Sequence, residues 1–541
     1  MSKFDKIIIF SAIILALIFI CTGFYFTDIP LRDVANRYAP MTEAFASGNF
    51  KFAFHPNFQP LTTIVAGGVA FITGVDGFTA LKIGSAIWYF AGMFLLYHLV
   101  RLIYPEQRKI AVFSLLLYAI FPTLLHMAFA GLRESAKTFL LLLSAVSLLR
   151  IYLAPDKKIN YFLLGIASGL SVIAKSDLTI TGIFILFAGV FIECRHRMKP
   201  QYSLIAFVPF FLLAFPHVCL NYRLFGVAVP DARYAAIWQN LTGKLPTLPD
   251  FITAAAVLSA AVCGAAFIAS WALKRIKARH IFSALGVVFA VSVIYTALSL
   301  KSSSEEIYDY INSFFEGFYD FLGLFVLFYL VVRSSFRKLE HSWIVVLSVI
   351  CANALCNILP ILLYERKLFI SSRYLHPALP LLFGFFIFGI NDVYRLIMKY
   401  IGRKYAFPLL VCVSVAIAGG MIFHTFQPTI RDHTRKRNIR QRQKVFELVK
   451  TIKDDYRGKR YMDMEPNRHY YVSQLRPKLY FIDDNKISTA AYLSGGSIAW
   501  IAGNADYIVS PYLPDDVPEK LILLGKIRGY RQVFNVWRVE K

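Results

Sequence analysis

TDIPLRDVANRYAPMTEAFASGNFKFAFHPNFQP, residues 27–60, follows directly on an apolar run, Ile7 to Phe26, long enough to cross a bilayer at ~20 residues per span. A chain that only turns around at a membrane surface does so in a few polar residues. This connection instead runs over 27–78 and carries Asp28, Arg32, Asp33, Arg37, Tyr38, Glu43 and His55. Ionisable groups held at a membrane are costly and mark functional sites by default. The anchor and its charged loop predict a multi-pass membrane protein with part of an active site in this first loop.

Composition points the same way. The 541 residues are 57% hydrophobic and 17% charged, whereas a soluble chain is nearer half apolar and a quarter charged. The N-terminal run is too long for a signal-peptide core and no small-x-small cleavage site follows it, so it reads as an uncleaved anchor. The cysteines (Cys21, Cys194, Cys219, Cys263, Cys351, Cys356, Cys412) all lie in or beside apolar segments and read as small packing residues. No P-loop, dinucleotide fingerprint, His/Cys metal spacing or internal repeat is present.

Apolar runs predict about thirteen spans: 7–26, 79–103, 110–129, 135–153, 160–175, 178–194, 202–220, 251–273, 281–300, 318–333, 342–363, 374–393 and 406–425. Pro60 to Gly74 is too short to span comfortably and reads as a re-entrant or surface-lying segment. With this count Lys3 and Lys6, Arg108 and Lys109, Lys157 and Lys158, Arg195 and Arg197, Lys274 to Arg279, Arg333 to Lys338, and Lys399 to Lys404 share one side. Short Lys/Arg-rich loops stay in the cytoplasm. Loops 27–78 and 221–250 and the tail then face outward. Most of the +25 formal charge is therefore topology, with no nucleic-acid partner implied.

The exceptions carry more information. Arg133, Lys137, Lys175, Arg366, Lys367 and Arg373 fall on the outer side at or near span ends, accompanied by Glu134, Asp177 and Glu365. Two readings stand: ion pairs and side chains snorkelling to headgroups, or a basic pocket for a phosphate at the outer leaflet. Lys175 and Asp177 can simply pair with each other, and Tyr38 and Tyr374 can be interface aromatics.

The chain divides at 426/427. Residues 1–426 form the membrane domain. Residues 427–541 open on the basic run HTRKRNIRQRQK, then an amphipathic helix with Val445, Leu448, Val449 and Ile452 on one side. Candidate strands follow at 478–482, 506–509 and 532–539. The fold class expected is mostly α, a polytopic helix bundle with a small C-terminal α/β domain outside the membrane.

Local motifs then resemble one superfamily, the GT-C glycosyltransferases, and within it the bacterial branch of protein O-mannosyltransferases and lipid A aminoarabinose transferases. Asp33-Val-Ala-Asn-Arg37-Tyr38 resembles that family's first-loop acidic motif, although Val34 replaces a second acid. His55-Pro-Asn-Phe-Gln-Pro60 resembles the Pro-rich stretch after it. Gly131-Leu-Arg-Glu134-Ser resembles the second outer loop, with Glu in place of Asp. Gly165 to Lys175 resembles a Gly-rich fifth span ending in Lys, and Ser372-Arg373-Tyr374-Leu-His-Pro377 resembles the opening of a late span. The order and shared face of these matches carry the resemblance.

The resemblance implies a membrane enzyme of the bacterial cytoplasmic membrane that takes sugar from a polyprenyl-phosphate donor. Its partners are that lipid, membrane lipids, and a lipid, glycan or protein acceptor. Asp33 and Glu134 are then the candidate catalytic acids, with Asp28 a rival to Asp33. Arg133, Lys137, Lys175, Arg366, Arg373 and Tyr374 are the candidate donor-phosphate residues, and Arg37, Tyr38 and His55 candidate substrate-positioning residues. No cofactor is required by the residues, no metal ligand is assigned, and the resemblance leaves room for a divalent cation.

The chemistry follows without the family. Outside the membrane there are no nucleotide sugars, so the donor is lipid-linked. A phosphate monoester leaves without a general acid but needs charge stabilisation from positioned cations, and the acceptor hydroxyl needs one carboxylate base. Direct displacement at the anomeric carbon inverts it. Three rivals remain: a surface-polysaccharide polymerase or ligase, a lipid-carrier transporter or flippase, and a non-catalytic scaffold. A transporter would show mid-membrane acids or repeats, which this chain lacks.

Overall fold

The computed structural model describes residues 3–27, 34, 38–54, 58–197, 201–231, 234–235, 238–239, 242–272, 345–346, 348–350, 352–353 and 376–402, scattered positions between 404 and 426, and in the tail 461–463, 479–481, 507–510, 520–528 and 533–540. Seven helices among them are long and apolar enough to span a membrane, or eight when one bent pair counts as a span. The chain is a polytopic membrane helix bundle. Helix α1 (Lys3–Phe26) shows Phe10, Leu17, Ile18 and Tyr25 on its open face. A late helix (Leu248–Ala272) does the same with Val257, Ile268 and Trp271. Such apolar faces suit lipid rather than water.

After α1 the chain forms α2 (Ala39–Ala46), a short turn α3 (Phe50–Ala53), α4 (Leu61–Thr73) and α5 (Gly77–Ile103). The segment expected to lie on the surface or re-enter is α4, a helix of 13 residues stopped by Gly74 in the left-handed region, and it packs on α2 and α5. Two acids satisfy the first backbone donors of α5. Asp76 accepts from Phe78 N and Thr79 N, each at 2.9 Å, and Glu43 accepts from Gly77 N at 3.0 Å. These donors have no partner within the helix, so the caps both start α5 and dock α2 onto it. Lys82, one turn further on, donates to Phe24 O at 3.1 Å and to Thr27 O. A buried ammonium thus sits at the negative end of α1, where the helix dipole favours it. Both ends of the long first loop are held at one end of the bundle.

The span expected at 110–129 is broken. It consists of α6 (Arg108–Ile120) and α7 (Pro122–Phe129), inclined at 55°. Pro122 has no N–H to continue α6 but suits the first position of a new helix. Helices α8 (Glu134–Leu153), α9 (Lys158–Ala174), α10 (Ser176–Arg197) and α11 (Ser203–Phe225) follow where spans were expected. Helix α12 is Leu248–Ala272 and α13 is Pro380–Ile401. The latter corrects the expected 374–393: His376–Ala378 is a 3-10 turn, and the helix starts at Pro380. The spans expected at 281–300 and 318–333, most of 342–363, and the tail helix around 445–452 lie outside the described residues.

Close packing of α9 on α11 depends on glycine. A Cβ at Gly165 would lie 2.0 Å from the Ala206 carbonyl oxygen and 2.5 Å from Pro209 Cγ, and Gly169 abuts Leu213 and Phe210 at 3.0–3.1 Å. Without a hydrophobic driving force between helices in lipid, such small-residue contacts decide which helices meet. Gly165→Ala is expected to destabilise the detergent-purified protein by ~1–3 kcal/mol through overpacking. Gly264→Ala, where nothing lies within 4 Å, should be neutral or mildly stabilising. Thermal unfolding of the two variants side by side measures the difference.

The tail contains a five-stranded sheet: β1 (Tyr461–Asp463), β2 (Leu479–Phe481), β3 (Tyr507–Ser510), β4 (Lys520–Arg528) and β5 (Val533–Glu540), in the order β2-β1-β3-β5-β4. β1 pairs parallel with β2 and β3, while β5 pairs antiparallel with β3 and β4. β2, β3 and β5 fall where the alternating patterns predicted strands. β1 and β4 were not foreseen, since β4 carries a Gly and an irregular register between Leu523 and Gly525.

Candidate active site

The site is built at the junction of α7 and α8. Helix α7 ends in a Schellman motif: Leu132 N donates to Met127 O at 3.1 Å, and Gly131 N to Ala128 O at 3.4 Å, with Gly131 at φ +71°. Only glycine adopts that conformation without strain. A Cβ there would also approach Leu81 Cβ to 3.2 Å. Ser85 Oγ donates to Leu132 O at 3.0 Å and pins the turn to α5. This turn delivers Arg133 and Glu134 to the first residues of α8, where the helix dipole favours a carboxylate.

Lys137 follows Glu134 by one turn on the same face. From the next hairpin come Lys175, at the last turn of α9, and Asp177, in the first turn of α10. The charges interlock. Lys137 Nζ lies 2.5 Å from Asp177 Oδ2, Lys175 Nζ 3.3 Å from Glu134 Oε1, and Lys175 Nζ 3.9 Å from Asp177 Oδ2. Lys137, Glu134 and Lys175 are buried, at 0%, 1% and 7% exposure. With Arg133 the group holds three cations against two carboxylates, so it retains one positive charge for an incoming anion.

Arg133 joins this cluster to the first loop. Its guanidinium lies 4.4 Å from the centroid of Tyr38 and 5.5 Å from that of Phe58, and the two rings meet edge-on at 6.1 Å. Such a cation–π arrangement gains strength when desolvated. Arg133 Nη1 is buried with no hydrogen-bond partner among the described residues. The planar fork is held by its face and left with a donor to offer.

Of the predicted site residues, the structure brings together Tyr38, Arg133, Glu134, Lys137 and Lys175. Tyr38 sits against Arg133, and Lys137 is locked to Asp177. Asp177, read from the sequence as a partner of Lys175, lies nearer Lys137. Asp28, Asp33, Arg37, His55, Arg366, Arg373 and Tyr374 lie outside the described residues. The described neighbours of Asp33 and Arg37 in the chain, Val34 and Tyr38, are buried. Two contributors were missed. Lys82 had a legible signal, a charge inside a predicted span; Phe58 had none, being one aromatic among many.

Glu134 and Asp177 each face a lysine ammonium, so these two carboxylates by themselves do not fit a divalent cation. Among the described residues no group of three or more His, Cys, Asp or Glu side chains is arranged around a metal position. What the described cluster can do is hold an anion with preorganised cations.

Residues 55–219, from the loop stretch before Phe58 to near the end of α11, match the family described as dolichyl-phosphate-mannose-protein mannosyltransferase. The matched segment contains the whole cation cluster. Among solved structures, the apo oligosaccharyltransferase of Archaeoglobus fulgidus is 12% identical with a TM-score of 0.50, over 94% of this chain and 70% of that one. ArnT of Cupriavidus metallidurans bound to undecaprenyl phosphate is 13% identical with a TM-score of 0.43, over 99% of this chain and 98% of that one. None of the curated proteins matches the chain. The resemblance to the GT-C glycosyltransferases read from the sequence stands: a mannosyltransferase family matches the site-bearing segment, and the fold is like that of the archaeal enzyme.

Proposed function

We propose, with that GT-C likeness as premise, that this chain is an inverting glycosyltransferase acting at the outer face of the cytoplasmic membrane. It moves a sugar from a polyprenyl-phosphate carrier to a hydroxyl on a lipid, glycan or protein. The observation that carries the reading is the buried cluster of Arg133, Glu134, Lys137, Lys175 and Asp177, with one cation in excess, at the end of the bundle holding the first loop. Burying three cations and two acids is expensive, and an excess positive charge is a stable arrangement when an anion completes it.

In the reaction the acceptor oxygen attacks the anomeric carbon while the bond from that carbon to the phosphate oxygen breaks. The electron pair leaves on the polyprenyl phosphate, whose charge Lys175 and the free Nη1 of Arg133 meet; Arg366, Arg373 and Tyr374 are assigned to the same phosphate. The acceptor proton passes to Asp33. Glu134 holds Lys175 in place and orients the acceptor. Inversion follows from a single displacement.

Lys175→Ala is expected to lower donor use by the folded protein roughly tenfold to a hundredfold, the loss of one charge-assisted contact at ~1.5–3 kcal/mol, and to reduce stability as well, because buried Glu134 loses its partner. Arg133→Lys should also be impaired, since a point charge neither stacks between two rings nor presents the same fork. Normal turnover in both purified variants overturns the pocket. Analysis of the lipids of cells lacking the protein tests the function itself, because an unused glycosylated polyprenyl phosphate should accumulate.

The orientation has its own test. A membrane-impermeant thiol reagent applied to intact cells should label a cysteine placed at Asn485 and not one at Arg403. The reverse pattern overturns the outer-face assignment.

A further inference from the structure

A second buried polar group lies at the same end of the bundle, outside the cation cluster. His217 and Asn221 are one turn apart on α11 and face the segment that follows it. His217 Nε2 donates to Pro230 O at 3.0 Å, and Asn221 Nδ2 to Val229 O at 2.8 Å. Gln59, from the first loop, donates through Nε2 to Asp231 Oδ2 at 2.8 Å. Three side chains from two distant parts of the chain thus gather on three consecutive residues.

What each leaves over has one chemistry. A carbonyl only accepts, so His217 Nε2 carries the hydrogen, and in the neutral ring Nδ1 is then an acceptor. Asn221 Oδ1 and Gln59 Oε1 are acceptors by the same reasoning. His217 Nδ1, Asn221 Oδ1 and Gln59 Oε1 are all buried with no hydrogen-bond partner among the described residues. Their residues are 5%, 0% and 1% exposed. Buried polar atoms are paired almost without exception, so three unmet acceptors in one network call for a donor-bearing ligand. Gln59 directly follows Phe58, the ring beside Arg133, so one chain segment contributes to both the cation cluster and this network.

We infer that His217, Asn221 and Gln59, gathered on Val229 to Asp231, form a hydroxyl-recognition subsite for the sugar attached to the donor phosphate. This rests on the transferase reading above. Sugar hydroxyls are hydrogen donors in a compact array, and the sugar is the part of the donor bonded directly to the phosphate. A site built to hydrogen-bond substrate hydroxyls rejects an analogue lacking one, because its own buried acceptors are then left unpaired.

The test uses the purified full-length protein and short-chain polyprenyl phosphates, bare or carrying mannose, glucose, galactose or arabinose. The wild type is expected to bind one glycosylated lipid at least tenfold tighter than the bare lipid. His217→Gln supplies an N–H donor for Pro230 O but no longer presents an acceptor at the ring Nδ1 position, and Asn221→Ala removes a second acceptor. Both should lose most of that tenfold margin while binding the bare lipid within about twofold of wild type. Folded variants that keep the full margin overturn the subsite and leave the network as a loop anchor.

If both variants fail to fold, singly deoxygenated sugars on the wild-type protein decide. A margin lost with one missing hydroxyl supports the subsite, and a margin insensitive to every deletion overturns it. A wild type that binds the bare lipid but shows no margin for any sugar overturns the inference alone. A wild type that binds none of these lipids overturns the transferase reading instead.

Discussion

Asp33→Asn is expected to lower glycosyl transfer by ~10²–10⁴-fold while the donor lipid still binds. The amide keeps the shape of the side chain and removes the proton acceptor. Asp33 stands between Arg32 and Arg37 in sequence, and neighbouring cations favour the ionised form that a base needs. Of its neighbours in the chain, Val34 and Tyr38 are buried, and Tyr38 lies against Arg133. Asp28→Asn and Glu134→Gln belong in the same assay. Asp28 is the rival acid of the same loop and directly follows Thr27, whose carbonyl accepts from Lys82. Loss of transfer in Asp28→Asn but not Asp33→Asn would move the base to Asp28. Full transfer in both would exclude a base from this loop.

Lys137→Met is expected to cost about 3–5 kcal/mol of stability, the usual consequence of removing one partner of a buried pair. Lys137 is fully buried and 2.5 Å from Asp177, whose side chain is only 14% exposed. The remaining cation, Lys175, stands 3.9 Å from Asp177 and is shared with Glu134, so it offsets only part of the loss. Lys137→Met with Asp177→Leu removes both charges and should recover most of the stability, because apolar residues of similar volume replace buried pairs at little net cost. Unfolding followed by circular dichroism in detergent measures both. The double variant also separates two roles for Lys137. Wild-type donor affinity in the folded double variant marks it as a strut, and a tenfold or greater loss marks it as a phosphate contact.

Much of the membrane domain was legible because its elements are set by local physics. An apolar run of ~20 residues has no soluble alternative, so α1, α5, α8, α10, α11 and the helix Leu248–Ala272 lie within a few residues of the spans expected. The break at Pro122 was legible in principle, since proline cannot continue a helix, but an unbroken run of apolar residues masked it. The residues of the site were legible as types, because cations and acids at span ends that the count assigns to the outer side stand out against the positive-inside pattern.

Their partners were not. Lys137 meets Asp177 across 40 positions, Lys175 meets Glu134 across 41, and Gln59 meets Asp231 across 172. Sequence by itself determined that this is a helix bundle in a membrane, with charged groups gathered at one end. Which lysine faces which acid, that Arg133 lies against Tyr38 and Phe58, and that three buried acceptors remain on Val229 to Asp231 were decided only by the tertiary structure. Helices in lipid are held by close contact rather than by hydrophobic exclusion. A missing side chain such as that of Gly165 on Ala206, or a glycine turn such as Gly131, therefore decides which ends meet, and no local pattern records that choice.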